Sequence, residues 1–239
     1  MSRSARLRVF IVHAHHEPSS FNGALTRKAR ETLLQTNHEV VVSDLYAIGF
    51  DPVSDRRNFR TVSDASRLGQ QAEEDYASKH DGFSPLLQAE MDKLEWCDVL
   101  IFQFPLWWLG LPAILKGWVD RVLALGRAYG GGRYFNRGVF AGKRAMCSVT
   151  VGGPAGAYSD TGAYGRIEKV LYPIHHGILA FVGFAVIEPF IVYAPSRVSA
   201  CQRTELLQRY GERMLALDKA PTMPVLDVAQ FDGLVRREE

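Results

Sequence analysis

The residues best equipped for chemistry fall into three clusters. The first is Ala14-His15-His16-Glu17-Pro18-Ser19-Ser20-Phe21-Asn22. Two hydroxyls and an amide precede a helical pattern, where unpaired N–H groups and a partial positive charge suit an anion. Ser19, Ser20 and Asn22 add donors for a phosphate, although Ser20 and Asn22 serve equally well as ordinary helix caps. The second cluster is Phe104-Pro105-Leu106-Trp107-Trp108-Leu109-Gly110-Leu111-Pro112. Two prolines and a glycine restrain this backbone, and adjacent tryptophans cannot both turn inward. A planar heteroaromatic ring is the natural guest of such a surface. The third runs from Thr150 to Gly165, with five glycines that let a ligand approach the backbone closely, and with Tyr158 and Tyr164 as phenolic donors. A mobile surface loop is the plain alternative for this stretch.

These clusters need elements that bring them together. Leu7–His13, Glu39–Asp44, Asp98–Phe104, Lys143–Val149 and Ala185–Tyr193 read as strands, because they are apolar and rich in β-branched residues. Helical patterns lie between them at Asn22–Gln35, Leu86–Trp96, Pro112–Leu125 and Gly165–Phe181, and a last one covers Ser199–Leu217. Strand–helix alternation predicts an α/β fold, a five-stranded parallel sheet with helices on both faces in the flavodoxin-like doubly wound order. Ligands of such sheets bind beyond the carboxyl ends of the strands, where all three clusters fall. One catalytic domain is expected over residues 1–218, followed by a tail at 219–239 that packs on the body or on a partner. Residues 51–82 form a polar excursion expected to carry short helices.

Composition narrows the classes. The chain has 239 residues, 47% apolar and 23% charged, enough for a large core. A net charge of +2 gives no strong field for nucleic acid. No run of 18 apolar residues occurs, so no integral membrane segment is expected. Three separated cysteines without a C-x-x-C suit a reducing compartment, and the cytoplasm is expected; Cys97 and Cys147 read as core. No G-x-G-x-x-G appears. His15, His16 and Glu17 are consecutive and diverge, which argues against a metal site, and His175-His176 reads as a partly exposed helix face.

Several segments together resemble the NAD(P)H:quinone oxidoreductase family of the DT-diaphorase type, from about Val9 to Arg203. They are A-H-x(3)-S-S-F-N at Ala14–Asn22, S-D-L-Y-A-x-x-F-x-P at Ser43–Pro52 and F-Q-F-P-L-x-W-x-G-x-P-A-I-L-K-G-W at Phe102–Trp118. G-G-x-x-x-x-Y at Gly152–Tyr158 and P-I-x-x-G-I-L-x-F-x-G-F at Pro173–Phe184 continue it, with Glu188-Pro189. The resemblance implies a homodimer that binds FAD non-covalently, oxidises NAD(P)H as co-substrate and reduces a quinone-type acceptor in a ping-pong cycle. It implies a pyrophosphate loop at His15, Ser20, Phe21 and Asn22, and ring contacts at Pro105, Leu106, Trp107, Trp108, Thr150, Val151, Gly152, Gly153 and Tyr158. Arg203 falls near the adenine end. Tyr129 and Phe181 fall where a partner subunit covers the flavin, and with Trp108 and Arg197 they make the substrate pocket.

The chain departs from that pattern in places. The family's relay histidine falls on Tyr164, a phenol that donates a hydrogen bond but carries no charge at neutral pH. The second interface tyrosine falls on Gly131, and a pocket-mouth histidine on Arg197. Tyr158, Tyr164 and the amides of Gly152 and Gly153 are the expected stabilisers of negative charge on a reduced ring. Two other classes fit a flavodoxin-like chain. One is an ancillary subunit of a potassium-efflux system, which would co-purify with a membrane partner. The other is an FMN electron carrier, which the near-neutral charge disfavours.

Overall fold

A computed structural model describes residues 6–237. Its centre is a parallel sheet of β1 (Arg8–His13), β2 (Glu39–Asp44), β3 (Val99–Pro105), β4 (Arg144–Val151) and β5 (Ala185–Tyr193), ordered β2-β1-β3-β4-β5. This is the expected doubly wound arrangement. β3 and nearly all of β4 are buried, so their continuous apolar runs follow from helices lying on both faces. One face carries α1 (Phe21–Gln35) and α6 (Ala200–Leu215), which join Val9, Ile11, Ile101 and Met146 in one core cluster through Leu25, Leu33, Tyr210 and Met214. The other carries α3 (Pro85–Trp96), α4 (Ala113–Val122) and α5 (Ile167–Ile174), around a larger cluster holding Phe10, Phe102 and Trp118. Cys97 and Cys147 are buried there, and burial pushes the Cys97 thiol up to about 12.

Several boundaries differ from the sequence expectation. β4 continues to Val151, which places Thr150 and Val151 on the strand itself. Pro112 caps α4 from outside and is not its first residue. The excursion is anchored by buried polar contacts. Its helix α2 (Gln70–Lys79) buries Glu73 and Glu74. Glu73 accepts from the Ser63 and Asp64 amides at 2.8 and 3.0 Å, and Glu74 accepts from the Leu125 amide at 2.8 Å. Arg121 of α4 donates to Asn58 Oδ1 at 2.7 Å and to the Asp51 carbonyl. These anchors are charged or amide groups, so a hydrophobicity pattern does not reveal them.

The pattern from Gly165 to Phe181 forms a short α-helix that widens into a π-segment at His175–Ala180. Pro173 lies inside the helix, where it has no N–H to donate. The wider turn rotates His175 inward. Contrary to the expected exposed face, it is 5% exposed. The tail folds back on the body: Met223 N–H donates to the Val186 carbonyl at 2.7 Å, and Asp227 accepts from Asn136 at 2.7 Å. It ends in a hairpin of β6 (Phe231–Asp232) and β7 (Val235–Arg236). Among the described residues no helix is long and apolar enough to cross a membrane.

Burial pushes the His175 imidazole down to about 4 from an ordinary 6.5. A group favoured as neutral in the fold supports stability above its unfolded pKa, and that support is lost as pH falls. Native stability should therefore decline between pH 6.5 and 4 by up to roughly 3 kcal/mol from this residue alone. His175→Leu should flatten that part of the stability–pH curve in urea melts; identical slopes in both proteins contradict the assignment.

Candidate active site

The carboxyl ends of β1, β3 and β4 are tied side by side beyond the regular ladder. Ala14 N–H donates to the Gln103 carbonyl at 2.9 Å, and Leu106 N–H donates to the Thr150 carbonyl at 2.8 Å. The loop carrying Trp107 and the bend carrying Gly152 thus leave neighbouring strands at the same level. Both aromatic loop and glycine bend open beside the start of α1.

That start is held by side chains. Ser20 caps α1, accepting from the Gly23 amide at 3.1 Å. The loop folds so tightly over the helix that a Cβ on Gly23 would lie 2.2 Å from the Pro18 carbonyl oxygen, so only glycine fits. Ser19 turns back to Glu17, whose carboxylate accepts from the Ser19 amide and hydroxyl at 2.8 and 2.7 Å. Asn22 also turns from its expected part: its buried side chain donates to Thr150 Oγ1 and accepts from Gln103 Nε2, both at 2.8 Å. What α1 offers an anion is the pair of first-turn amides of Phe21 and Asn22, which precede the first intrahelical bonds. Arg203 lies nearby, with its guanidinium 5.7 Å from the Phe21 ring centroid and donating to the Pro195 carbonyl at 2.7 Å.

The tryptophan loop closes on itself. Trp107 and Gly110 exchange backbone hydrogen bonds at 3.2 and 3.0 Å, leaving Trp108 and Leu109 as the two central residues of a hairpin turn. Both have positive φ, 51° and 56°, a conformation that Asn-Gly normally supplies. Trp108 at its tip is 102% exposed and Trp107 is 38% exposed. A large aromatic held like Trp108 at an unfavourable φ and in water gains nothing for the isolated fold, which marks a surface shaped for a ligand. Trp107 lies against the imidazoles of His15 and His16, at 6.2 and 6.1 Å, and those two rings stack at 4.8 Å.

At the third cluster Gly152 is exposed with open space where a Cβ would be, while a Cβ on Gly153 would press within 3.1 Å of the Tyr158 ring. Tyr158 is buried, Tyr164 is exposed, and their centroids are 5.1 Å apart. Tyr193 of β5 backs Tyr158 at 5.9 Å. Burial raises the Tyr158 pKa, so the phenol keeps its proton through neutral and mildly alkaline pH. Arg197 lies on the exposed loop after β5. Tyr129 and Phe181 pack on each other at 6.0 Å and line a separate hollow with Gln71 and Glu74 of α2. Sequence reasoning missed the structural part of Gln103 and the strained turn. The first is a lone polar residue inside a buried strand, a readable signal; the second has no sequence signature. Among the described residues no group of His, Cys, Asp and Glu could hold a metal ion.

Two substitutions test this construction. Trp108→Gly removes the positive-φ penalty and should raise the stability of the ligand-free protein by about 1 kcal/mol in urea; an unchanged or lower midpoint contradicts the strain. Asn22→Leu leaves Thr150 and Gln103 without their buried partner and should cost about 2 kcal/mol. Amide exchange should rise chiefly in the first turn of α1.

The family model described as a flavodoxin-like fold matches residues 7–216. NAD(P)H dehydrogenase (quinone) 1 of Rattus norvegicus is 41% identical over 208 residues, 87% of this chain and 76% of its own length. Ribosyldihydronicotinamide dehydrogenase (quinone) of Homo sapiens is 38% identical, across 91% of this chain and 94% of that one. A crystal structure assigned as a candidate quinone reductase from Klebsiella pneumoniae superposes with a TM-score of 0.88 at 39% identity, covering 91% of this chain and 87% of its own. A family match over residues 7–216 and identity at this level over most of the length have one reading: the chain belongs to the flavodoxin-like family that contains the NAD(P)H:quinone oxidoreductases.

Proposed function

We propose that this chain is an NAD(P)H dehydrogenase (quinone) that holds FAD and serves NAD(P)H and a quinone-type acceptor in turn. The observation that carries this reading is the exposed Trp107–Trp108 turn beside the open Gly152 bend, over the unpaired amides at the start of α1. A flavin needs an anion cradle, a flat apolar shelf and donors along a polar edge, and the residues present fit all three. The Phe21 and Asn22 amides, with Ser20 and His15, would hold the pyrophosphate. Arg203 would hold the adenine end. Pro105, Leu106, Trp107, Trp108, Thr150, Val151, Gly152, Gly153 and Tyr158 would hold the ring. The bound flavin supplies hydride acceptance and donation.

The chain's own residues do the rest. The Trp107–Trp108 turn and the Gly152 bend leave neighbouring strand ends and would wall a single slot, which nicotinamide and acceptor would use in turn, in ping-pong order. Tyr158, Tyr164 and the amides of Gly152 and Gly153 direct donors at the edge where negative charge gathers. Tyr158 remains a neutral donor because burial raises its pKa. Tyr129 and Phe181 stand apart from this slot, and we assign them to cover the slot of a second copy in a homodimer. The catalytic domain spans residues 1–218, and the free thiols suit the cytoplasm.

Purified protein should be yellow, and mass analysis of the extracted flavin should give FAD. Initial rates with NADH or NADPH against a quinone should give parallel double-reciprocal lines. Tyr158→Phe combined with Tyr164→Phe should lower turnover about 100-fold with the flavin retained. A colourless protein, converging lines, or unchanged turnover in the double variant each defeats its own part of the assignment.

A further inference from the structure

A second concave site lies at the far edge of the sheet. The π-segment His175–Ala180, β5 and the tail at Thr222–Val225 enclose a cavity of about 700 Å³. That volume is within the range of small-molecule sites. Leu171, Phe184 and Val186 give it a buried apolar wall. The tail forms its lid, pinned by the Met223–Val186 hydrogen bond and the bridge between Thr222 and Ile187.

Two features set this cavity apart from a packing gap. The first is His175, which lines it: the residue is 5% exposed, and its Nε2 has no partner in the protein. Buried ring nitrogens are normally satisfied, so an unpaired one calls for an occupant. The second is the π-segment that delivers His175 to the wall. Such segments are rare and concentrate at functional sites.

The chemistry selects the ligand. The imidazole is neutral at physiological pH because burial pushes its pKa down to about 4, so it offers one acceptor and one donor and no charge. Glu188 is exposed at the rim and disfavours an anion, Glu168 beside it is paired with Arg166 at 3.3 Å, and the lining holds no Lys or Arg. We propose that this cavity is a binding site, separate from the Trp107–Gly152 slot, for an uncharged one- or two-ring aromatic molecule bearing a hydroxyl that bonds to His175. Tyr193 lines the cavity and also packs on Tyr158, so an occupant touches the residue that backs the glycine loop. The site stands whether or not the chain binds flavin.

Calorimetric titration of the full-length protein as purified, with 2-naphthol, naphthalene and 2-naphthoate, tests it. Wild type should show saturable 2-naphthol binding, with 2-naphthoate weaker by about tenfold. Val225→Trp, on the exposed tail, and Ile191→Trp should each fill the cavity and weaken 2-naphthol about tenfold, with quinone turnover unchanged. His175→Leu should weaken 2-naphthol about fivefold and leave naphthalene binding as it was. Absence of saturable binding, or wild-type affinity in a folded Val225→Trp protein, overturns the site. Equal losses for 2-naphthol and naphthalene in His175→Leu overturn the hydrogen bond.

Discussion

The site depends on one buried contact. The Asn22 amide joins Thr150 of β4 to Gln103 of β3, and Gln103 Oε1 accepts in turn from Tyr210 of α6 at 3.4 Å. Four elements meet in this chain of amides and hydroxyls, shut away from water. Polar groups in such a place must all be satisfied together, which admits one placement of α1 against the sheet. That placement aims the first-turn amides beyond the strand ends and sets their distance from the Gly152 bend. The proposed phosphate cradle and ring shelf could serve one long cofactor only if that spacing is fixed.

A contrast in rigidity follows. The cradle is over-determined by the Ser20 cap, the tight contact at Gly23 and the Asn22 pin. The shelf is the opposite, with Trp108 and Leu109 at positive φ and their side chains in solvent. Such a turn is poor in contacts of its own and gains them from what it binds. The glycine bend shows the same division: the buried Tyr158 phenol keeps its proton near neutral pH, while Tyr164 packed against it is exposed.

The other end of the sheet shows how a helix interruption creates a second environment. Pro173 and the wider π-turn move His175 from the surface to the interior, where the tail closes over it. The tail is held by backbone pairing to β5, by the Asn136–Asp227 hydrogen bond and by Met223, Leu226 and Val228 packing on the larger core. Polar anchoring also explains the excursion at 51–82. Its helix is fixed by Glu73 and Glu74, which accept from backbone amides, and the loop before the helix by Arg121, which donates to Asn58 and the Asp51 carbonyl.

The sequence alone determined the sheet, its order and the three loops at its carboxyl edge. Long apolar runs separated by periodic helices admit few other arrangements, and Phe102–Trp118 is distinctive enough to carry the family. Tertiary structure decided which way each polar side chain turns. Ser19, Ser20 and Asn22 can each donate and accept on paper, yet one bonds Glu17, one caps α1 and one is buried between strands. Adjacent tryptophans do not reveal a hairpin turn at positive φ, and two histidines in a helical pattern do not reveal a π-segment. Local propensity fixes which elements form; the partner of a polar group depends on residues 81 or 128 positions away, as Gln103 and Thr150 are from Asn22, and only the folded chain brings them within reach.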